Sequence, residues 1–568
     1  MIKRLLPLLF ISLFVSTNLF TQISEGGTPP SFKFVKTKSF SSQNTHEVKV
    51  DKTVINKLLR EEVFSTNQTK PSPIATAISV KYDLVKDGEW TTLQDGSRIC
   101  QLNIFVPDAL GIILTYSKFY IPKGNKLFIY NKERTQILGA YTNSTNQAGE
   151  SFSTEIIYGD ELTLEYVEYH NEPANINISS IGYVYQGIIN YTKATELEGF
   201  SKSKECQVNI NCMEGANWQM EKRSVARIYA LIGSTWFRST GSLINNTTND
   251  KTPLFITAAH CIRDRRGIVA NMSNIQFYFN YEFSGCVNEQ EVPQGCKTMV
   301  GAEILVLTPL YGGSDGALLK LNDRMPDDYD VYFNGWDISE QVAKSGVVIH
   351  HPNGDVKKIS TYNTPLRSNT YKDENGSALE NAHWSAQYTK TLNGFGTTEK
   401  GSSGSPIYNQ DKLIVGTLTG GNSGCYNTAE TDCFGKISYH WDKNTSQIYY
   451  MKPFLDPIGA NVPKMIGLAN IDGRPINPLI IAPDASAKEA YAFWSSNDSR
   501  NELTVVVKDE KDYIKKTFIT SLSGYDIYRN SDIKHNIHTI QTIGWPNGLY
   551  IVYIETTQGS KHRFKIIK

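Results

Sequence analysis

The chain has 568 residues, which at roughly 150 per domain suggests three or four domains and excludes a single small module. Its 57 basic and 57 acidic side chains cancel to a formal net charge of zero, so no global field draws it to nucleic acid or anionic lipid, and no nucleic-acid partner is expected. With 31 Tyr, 42 Gly and charged residues at 20%, the chain reads as globular and all-β dominated rather than disordered or coiled-coil.

The N-terminus sets Lys3 and Arg4 before an apolar run from Leu5 to Val15, with small and polar residues up to Thr21. This pattern predicts a secretory signal peptide over residues 1–21. The run is shorter than the roughly 20 residues that cross a bilayer, and no later stretch approaches that length, so no membrane span is expected in the mature form. Export makes the protein secreted, extracellular or attached to the cell surface, and permits disulfides. Cys206, Cys212, Cys261, Cys286, Cys296, Cys425 and Cys433 gather in the middle of the chain, with Cys100 alone outside, which reads as a stapled unit. No spacing has the paired CxxC of a zinc site.

From Ile78 to Gly187 short alternating runs, such as Cys100–Val106 and Leu127–Tyr130, are separated by turns at Asp95-Gly96 and Lys123-Gly124-Asn125. A β-sandwich is the packing expected for them, within a prosegment over 22–204. The polar stretch Thr192–Lys204 reads as an exposed linker in which Lys202 and Lys204 are candidate processing sites, with the cut after Lys204 that leaves Glu205 as the new N-terminus favoured. A central domain follows over 205–466, then a proline-bearing connection over 467–490. The last segment, 491–568, has β-branched runs at Leu503–Val507 and Leu549–Ile554 and reads as a small β-sandwich.

The chemistry lies in the central domain. In Phe255-Ile256-Thr257-Ala258-Ala259-His260-Cys261 an apolar run ends in small residues and an imidazole, leaving room for a substrate. In Gly401-Ser402-Ser403-Gly404-Ser405-Pro406 a serine sits among glycines, which permit the tight backbone that aims two amide N–H groups, those of Gly401 and Ser403, at one oxyanion. Asp315, at the mouth of the apolar run Ala317-Leu318-Leu319, is suited to orient a histidine and stabilise its cation. Asp264, Asp323, Asp327 and Asp328 are competing carboxylates, and the flanking apolar run favours Asp315. Together His260, Asp315 and Ser403 read as the triad of a serine hydrolase. The adjacent His350 and His351 project in different directions on an extended chain, with no nearby cysteine to complete a metal set, so no metal and no cofactor are expected.

At TAAHC, DGALLKL and GSSGSP the sequence resembles the chymotrypsin-like serine peptidases, and over about Cys206 to Pro457 more closely the bacterial lysyl endopeptidases. The resemblance implies a double β-barrel with the active site in the cleft between barrels, and protein and peptide substrates. Two trypsin-type features are missing: Ser402 stands where an aspartate would pair with a new N-terminus, and Thr397 where the specificity aspartate would be. The lysyl enzymes instead carry that carboxylate after the serine, which Asp432-Cys433-Phe434-Gly435 resembles. A buried Asp432 facing a long slot would select a cationic side chain, with Glu430 the nearest substitute. Thr419, Gly420 and Gly421 fall on the substrate-binding strand of the family, with Thr419 in place of a histidine. The resemblance also implies Cys206–Cys425 and Cys212–Cys286 disulfides, whereas Cys261 lacks its usual mate because Ser239 stands there.

From about Tyr491 to Lys568, the motifs Asn501–Val505, Leu522–Ile527 and Gly548–Val552 resemble a type IX secretion C-terminal sorting domain, which implies that secretion machinery as a partner. The resulting expectation is a lysine-directed serine endopeptidase made as a self-processing zymogen, with a noncatalytic surface adhesin or an esterase as alternatives.

Overall fold

The computed structural model describes residues 24–33, 45–64, 72–146, 149–169, 172–186, 203–288, 293, 296–471, 474–476, 490–494, 502–507, 511–521, 526–531, 533–542, 544–546 and 549–567. The expected signal peptide, Lys202, most of the linker after Thr192 and most of the connection up to 490 lie outside these residues.

Strand is the dominant element throughout. In the N-terminal region Arg98–Phe105 pairs with Glu161–Glu168, which pairs with Lys126–Asn131 and through it with Ile137–Tyr141. A second layer sets Asn175–Val184 between Gly111–Tyr120 and Ser72–Asp83, all antiparallel. Leu102, Ile104, Leu162 and Leu164 from one layer and Leu114, Ile176, Ile178 and Ile181 from the other fill a single core, a sandwich of the kind alternating strands form.

The second layer does not stop at Ser72–Asp83. Thr235–Leu243, from the central domain, adds to its edge with Thr235 opposite Thr76, Trp236 opposite Ala75, Phe237 opposite Pro73 and Arg238 opposite Ser72. Ile74, Ala75, Ile113 and Val184 share a core with Tyr229, Leu231 and Trp236 across this junction. Residues up to Ile476 therefore form one compact unit. The sequence pattern, read as a prosegment and a catalytic domain joined by a linker, contains no sign of this shared sheet, because pairing between residues over 150 apart leaves no local periodicity.

The central domain has the chymotrypsin-like fold, two antiparallel barrels side by side. The first runs, in spatial order, Lys297–Val300, Gln276–Phe279, Val225–Ile232, Thr235–Leu243, Leu254–Ala258, Gly316–Leu321 and Ala302–Leu307. All eight residues of Val225–Ile232 are buried, as expected of a strand covered on both faces. Phe255, Phe277, Phe279 and Leu319 fill this barrel. The second orders Val208–Asn209, Lys358–Tyr362, Gly346–His350, Pro406–Tyr408, Ile414–Gly421, Asp432–Lys436, His383–Ala386 and Arg367–Asn369. Its interior holds Val348, Trp384 and Phe434, while Trp336, Ile349, Tyr408 and Trp441 join Val225, Ile256 and Leu318 of the first barrel in a cluster the two barrels share. Disulfides join Cys206 to Cys425 and Cys212 to Cys286, while Cys100, Cys261, Cys296 and Cys433 are free thiols.

Two boundaries differ from the sequence reading. In the linker expected to be exposed up to Lys204, Lys204 is exposed but its N–H donates to Glu399 Oε1 at 3.0 Å, and Ser203 is buried with its hydroxyl donating to Asp355 Oδ2 at 2.5 Å. The connection expected from 467 begins as structure, because Leu468–Ile471 pairs with Tyr332–Phe333 and with Arg474–Ile476, and Leu468 is fully buried in the first barrel's core. A single apolar residue there outweighs the prolines that follow it.

Residues from Asn477 onward form a second unit. Its sheets are Ala490–Trp494, Glu502–Val507 and Ile537–Gln541, and Asp526–Asn530, Ile514–Ser521, Leu549–Thr556 and Lys561–Ile567, packed around Leu503, Val505, Ile519 and Val552. Among the described residues no helix is long and apolar enough to cross a membrane.

Truncation after Ile476 is expected to leave the melting midpoint of the first unit within about 2 °C of its value in the full chain. Truncation after Gly467 removes the Leu468 strand and should cost on the order of 2–5 kcal/mol. Calorimetry of the two truncated chains checks both, and equal midpoints would contradict the assignment of 468–476 to the barrel.

Candidate active site

His260 sits one turn past the end of Leu254–Ala258, the strand that pairs with Gly316–Leu321, and Asp315 directly precedes that partner strand. Adjacent strand ends thus bring the two together. His260 Nδ1 lies 2.7 Å from Asp315 Oδ2, and the His260 main-chain N–H donates to Asp315 Oδ1 at 3.1 Å. The Asp315 carbonyl accepts from the Ala259 N–H at 3.0 Å. Asp315 is wholly buried and adopts a φ of 60°, a left-handed conformation costly for a residue with a β-carbon and held here by these bonds. Burial pushes the His260 imidazole toward its neutral form, but the Asp315 charge outweighs this and holds its pKa well above 6.5. His260 Nε2, the nitrogen turned away from Asp315, lies 3.9 Å from the buried Cys261 Sγ.

Ser403 comes from the second barrel, on the turn leading into Pro406–Tyr408. Its carbonyl accepts from the Thr240 N–H at 2.8 Å, and the Gly404 N–H donates to the Leu418 carbonyl at 2.8 Å. These bonds clamp the turn between the two barrels. Gly404 (φ 80°) presses so close to the histidine strand that a β-carbon there would lie 2.1 Å from Thr257 Oγ1 and 2.9 Å from the Ala258 nitrogen. Gly401 has φ 92°, the left-handed region glycine favours. Among the described residues neither the Gly401 nor the Ser403 N–H has an internal acceptor, an arrangement that leaves both free for an anion.

Ser402, at the position of the missing trypsin-type aspartate, bonds to His350 Nδ1 at 2.8 Å, while His350 Nε2 bonds to Ser360 Oγ at 2.9 Å. His351 Nδ1 lies 2.9 Å from the Asp355 carbonyl. Both rings are buried, and burial pulls the His350 pKa down to about 3 and that of His351 well below its usual value. These two histidines support the serine turn rather than reach a common point in space.

Asp432 opens the strand beside Ile414–Gly421, opposite Gly421. It is fully buried, yet ringed by donors: Thr398 Oγ1 at 2.5 Å, Ser423 Oγ at 2.6 Å and the Ser423 N–H at 3.2 Å. Burial pushes the carboxyl up, and the hydrogen bonds from Ser423 and Thr398 oppose it. Thr397 and Thr398 belong to the segment before Ser403, and Gly420 to Ser423 to the segment opposite, so the carboxylate lies between two walls that both lead to the serine turn. Glu430 is exposed on the loop before this strand.

Sequence reasoning missed the layer behind the triad. Ser314 Oγ bonds to His440 Nδ1 at 2.7 Å and accepts from Asn444 Nδ2 at 2.9 Å, and His440 Nε2 lies 3.2 Å from Thr417 Oγ1. His383 Nε2 bonds to Thr419 Oγ1 at 3.0 Å, giving Thr419 an imidazole partner from another strand. Burial lowers the His383 pKa to about 4 and that of His440 to about 3. No local sequence signal marks the partners of Ser314 and Thr419, since His383, His440 and Asn444 reach them from other segments of the chain. Among the described residues no group of side chains could hold a metal.

The chymotrypsin-like fold, with a histidine and aspartate on one barrel and a serine on the other, defines the structural class. Within it, residues 200–435 match the family model described as lysyl endopeptidase, C-terminal domain. The chain is 29% identical over 286 residues to the lysyl endopeptidase of Pseudomonas aeruginosa, covering 48% of this chain and 57% of that protein, so it spans little more than half of that relative's length. Solved structures it is similar to include the protease Anisep from Arthrobacter nicotinovorans, at 16% identity over 38% of this chain and 91% of the other with a TM-score of 0.27. Neuropsin from mouse brain is another, at 15% identity over 41% and 94% with a TM-score of 0.27.

For a hydrolysis in which His260 is the base, the raised pKa beside Asp315 predicts that kcat/KM climbs with pH along a limb centred above 6.5. Asp315→Asn removes the charge that holds the proton, so the limb should move to lower pH while kcat falls by about 10⁴. A pH series of peptide hydrolysis for both forms checks this, and an unmoved limb would contradict the pairing.

Proposed function

We propose that the protein is a secreted serine endopeptidase that cleaves proteins after lysine and is made as a zymogen. The observation that carries the reading is the buried Asp315 carboxylate bonded twice to His260, across the barrel junction from Ser403. Ser403 Oγ attacks the scissile carbonyl while His260 Nε2 takes its proton, and Asp315 stabilises the imidazolium. The Gly401 and Ser403 N–H groups hold the oxyanion of the tetrahedral adduct. His260 then returns the proton to the leaving nitrogen as the carbon–nitrogen bond breaks, and water repeats the sequence on the acyl-enzyme ester.

Lysine selectivity rests on Asp432. Its burial raises the cost of an uncompensated charge, which a substrate ammonium offsets and an apolar side chain does not. Thr419, Gly420 and Gly421 offer the backbone edge along which the substrate lies. For maturation, the ties of Ser203 to Asp355 and of Lys204 to Glu399 support a cut after Lys202 in preference to Lys204, since the former leaves both bonds intact. The second unit acts as the type IX sorting domain, and the enzyme works outside the cell.

Ser403→Ala is expected to lower peptide turnover by more than about a hundredfold with the melting midpoint unchanged. Asp432→Asn should lower turnover of lysyl peptides far more than labelling of Ser403 by a small neutral fluorophosphonate. Mass spectrometry of peptides released from a denatured protein reads the preference directly: lysine at the cut ends supports the assignment, and any other consistent residue overturns it.

A further inference from the structure

The donors around Asp432 come from two pieces of irregular chain. Ser423, which donates to it through Oγ and N–H, is buried, yet it sits on the loop 422–431, where residues 426–430 are all exposed. Thr398, and Thr397, whose Oγ1 lies 2.6 Å from Ser423 Oγ, belong to the segment between the strands His383–Ala386 and Pro406–Tyr408. Neither wall is stiffened by a ladder of its own, so the places of these donors depend on what ties the walls from outside.

One short stretch ties both. Cys206 is joined through its sulfur to Cys425, two residues past Ser423, and its carbonyl accepts from the Gly396 N–H at 2.8 Å. That carbonyl lies so close to Gly394 that a β-carbon there would come within 2.5 Å of it. Gln207 Nε2 donates to the Thr397 carbonyl at 2.7 Å and to Glu399 Oε1 at 2.6 Å. From the loop, the Tyr426 hydroxyl donates to Glu205. Residues 205–207 thus cross from one wall to the other, and a cut after either Lys202 or Lys204 leaves them on the enzyme.

We propose that residues 205–207 are a strap across the pocket, with Cys206 and Gln207 as positioning residues for lysine selectivity that act through Ser423, Thr397 and Thr398. The inference rests on the lysine-directed reading of Asp432. A substrate ammonium gains from this carboxylate only where its oxygens stand at the end of the four-carbon stem, and a displacement of about 1 Å in such a site can cost on the order of a hundredfold. Were the loop to swing outward, Ser423 would take two hydrogen bonds away from Asp432. Burial would then prevail over the remaining donors and shift the carboxyl toward its neutral acid, which has no charge to offer a lysine.

The test compares two peptide amides that differ only at the residue before the cut: lysine, and norleucine, which has the same four-carbon stem without the ammonium. Loss of folded enzyme or disturbance of the serine turn lowers kcat/KM for both alike, whereas the strap is read in their ratio. In enzyme produced from the full chain, the double variant Cys206→Ser, Cys425→Ser is expected to lower the lysine-to-norleucine ratio at least about tenfold, through KM for the lysyl peptide more than through kcat. Gln207→Ala, which keeps the disulfide, is expected to lower it at least about threefold and decides the matter where the double variant does not fold. Asp432→Asn is measured beside them. If Asp432→Asn collapses the ratio while a folded double variant, or Gln207→Ala in its stead, keeps the wild-type value, the strap is overturned. A ratio unchanged in Asp432→Asn overturns the lysine-directed reading of that residue, and the strap's role with it.

Discussion

One buried carboxylate fixes the geometry around which the rest of the site is arranged. Asp315 has no exposed surface, and its charge is compensated by the His260 ring and by the His260 main-chain N–H. An unpaired carboxylate in this position would cost several kcal/mol, which the imidazole and the main-chain N–H of His260 offset. The same constraint explains the local backbone. Asp315 accepts a left-handed φ because the Ala259 N–H holds its carbonyl and the strand Gly316–Leu321 begins immediately after it. Ser314, its neighbour, is bonded to His440 and Asn444 from beyond the second barrel's last strand, so the residue beside the carboxylate is braced from the other barrel.

The barrel junction is held by a similar exchange of polar contacts. Thr240, on the first barrel, donates through its N–H to Ser403 and through its hydroxyl to Gly401. Arg227, fully buried on the neighbouring strand, donates to the Gly354 carbonyl at 2.8 Å and lies over the Tyr281 ring at 3.6 Å. Gly354 in turn packs beneath Gly401, where a β-carbon would approach the Gly354 nitrogen to 3.1 Å. A cation in the interior is tolerated because a carbonyl and aromatic faces replace its water. The backbone that presents the two free N–H groups is thus supported from the first barrel.

What the sequence made legible follows from where information is local. His260 and Asp315 flank apolar runs and Ser403 sits among glycines, so a candidate chemistry could be read from the sequence, and the structure pairs the first two. Asp432 was legible only through a family resemblance, because nothing in its own neighbourhood announces the Thr398 and Ser423 donors that surround it. The all-β character was evident from alternation and turns. The sheet shared by Ser72–Asp83 and Thr235–Leu243 was not, since either strand alone reads as an ordinary half-buried element whose partner is unspecified. Ser203 and Leu468 were misplaced for a related reason: one polar and one apolar residue at the edge of a biased segment take their environment from tertiary partners, Asp355 in one case and the first barrel's core in the other.

The bonds of Ser402 and Ser403 leave the serine turn already built in the full chain. In trypsin-type enzymes a new N-terminal amine pairs with the aspartate before the serine, and here Ser402 occupies that position and already has His350 as its partner. His260 and Asp315 are paired in the full chain, and among the described residues the Gly401 and Ser403 N–H groups have no internal acceptor. Nothing in the serine turn waits for a charge to build it. The N-terminal sandwich is bonded into the first barrel's sheet through Ser72–Asp83 and shares the apolar core around Trp236. Separating the two would therefore require opening a sheet edge and exposing an apolar core, which a cut in the chain alone does not do.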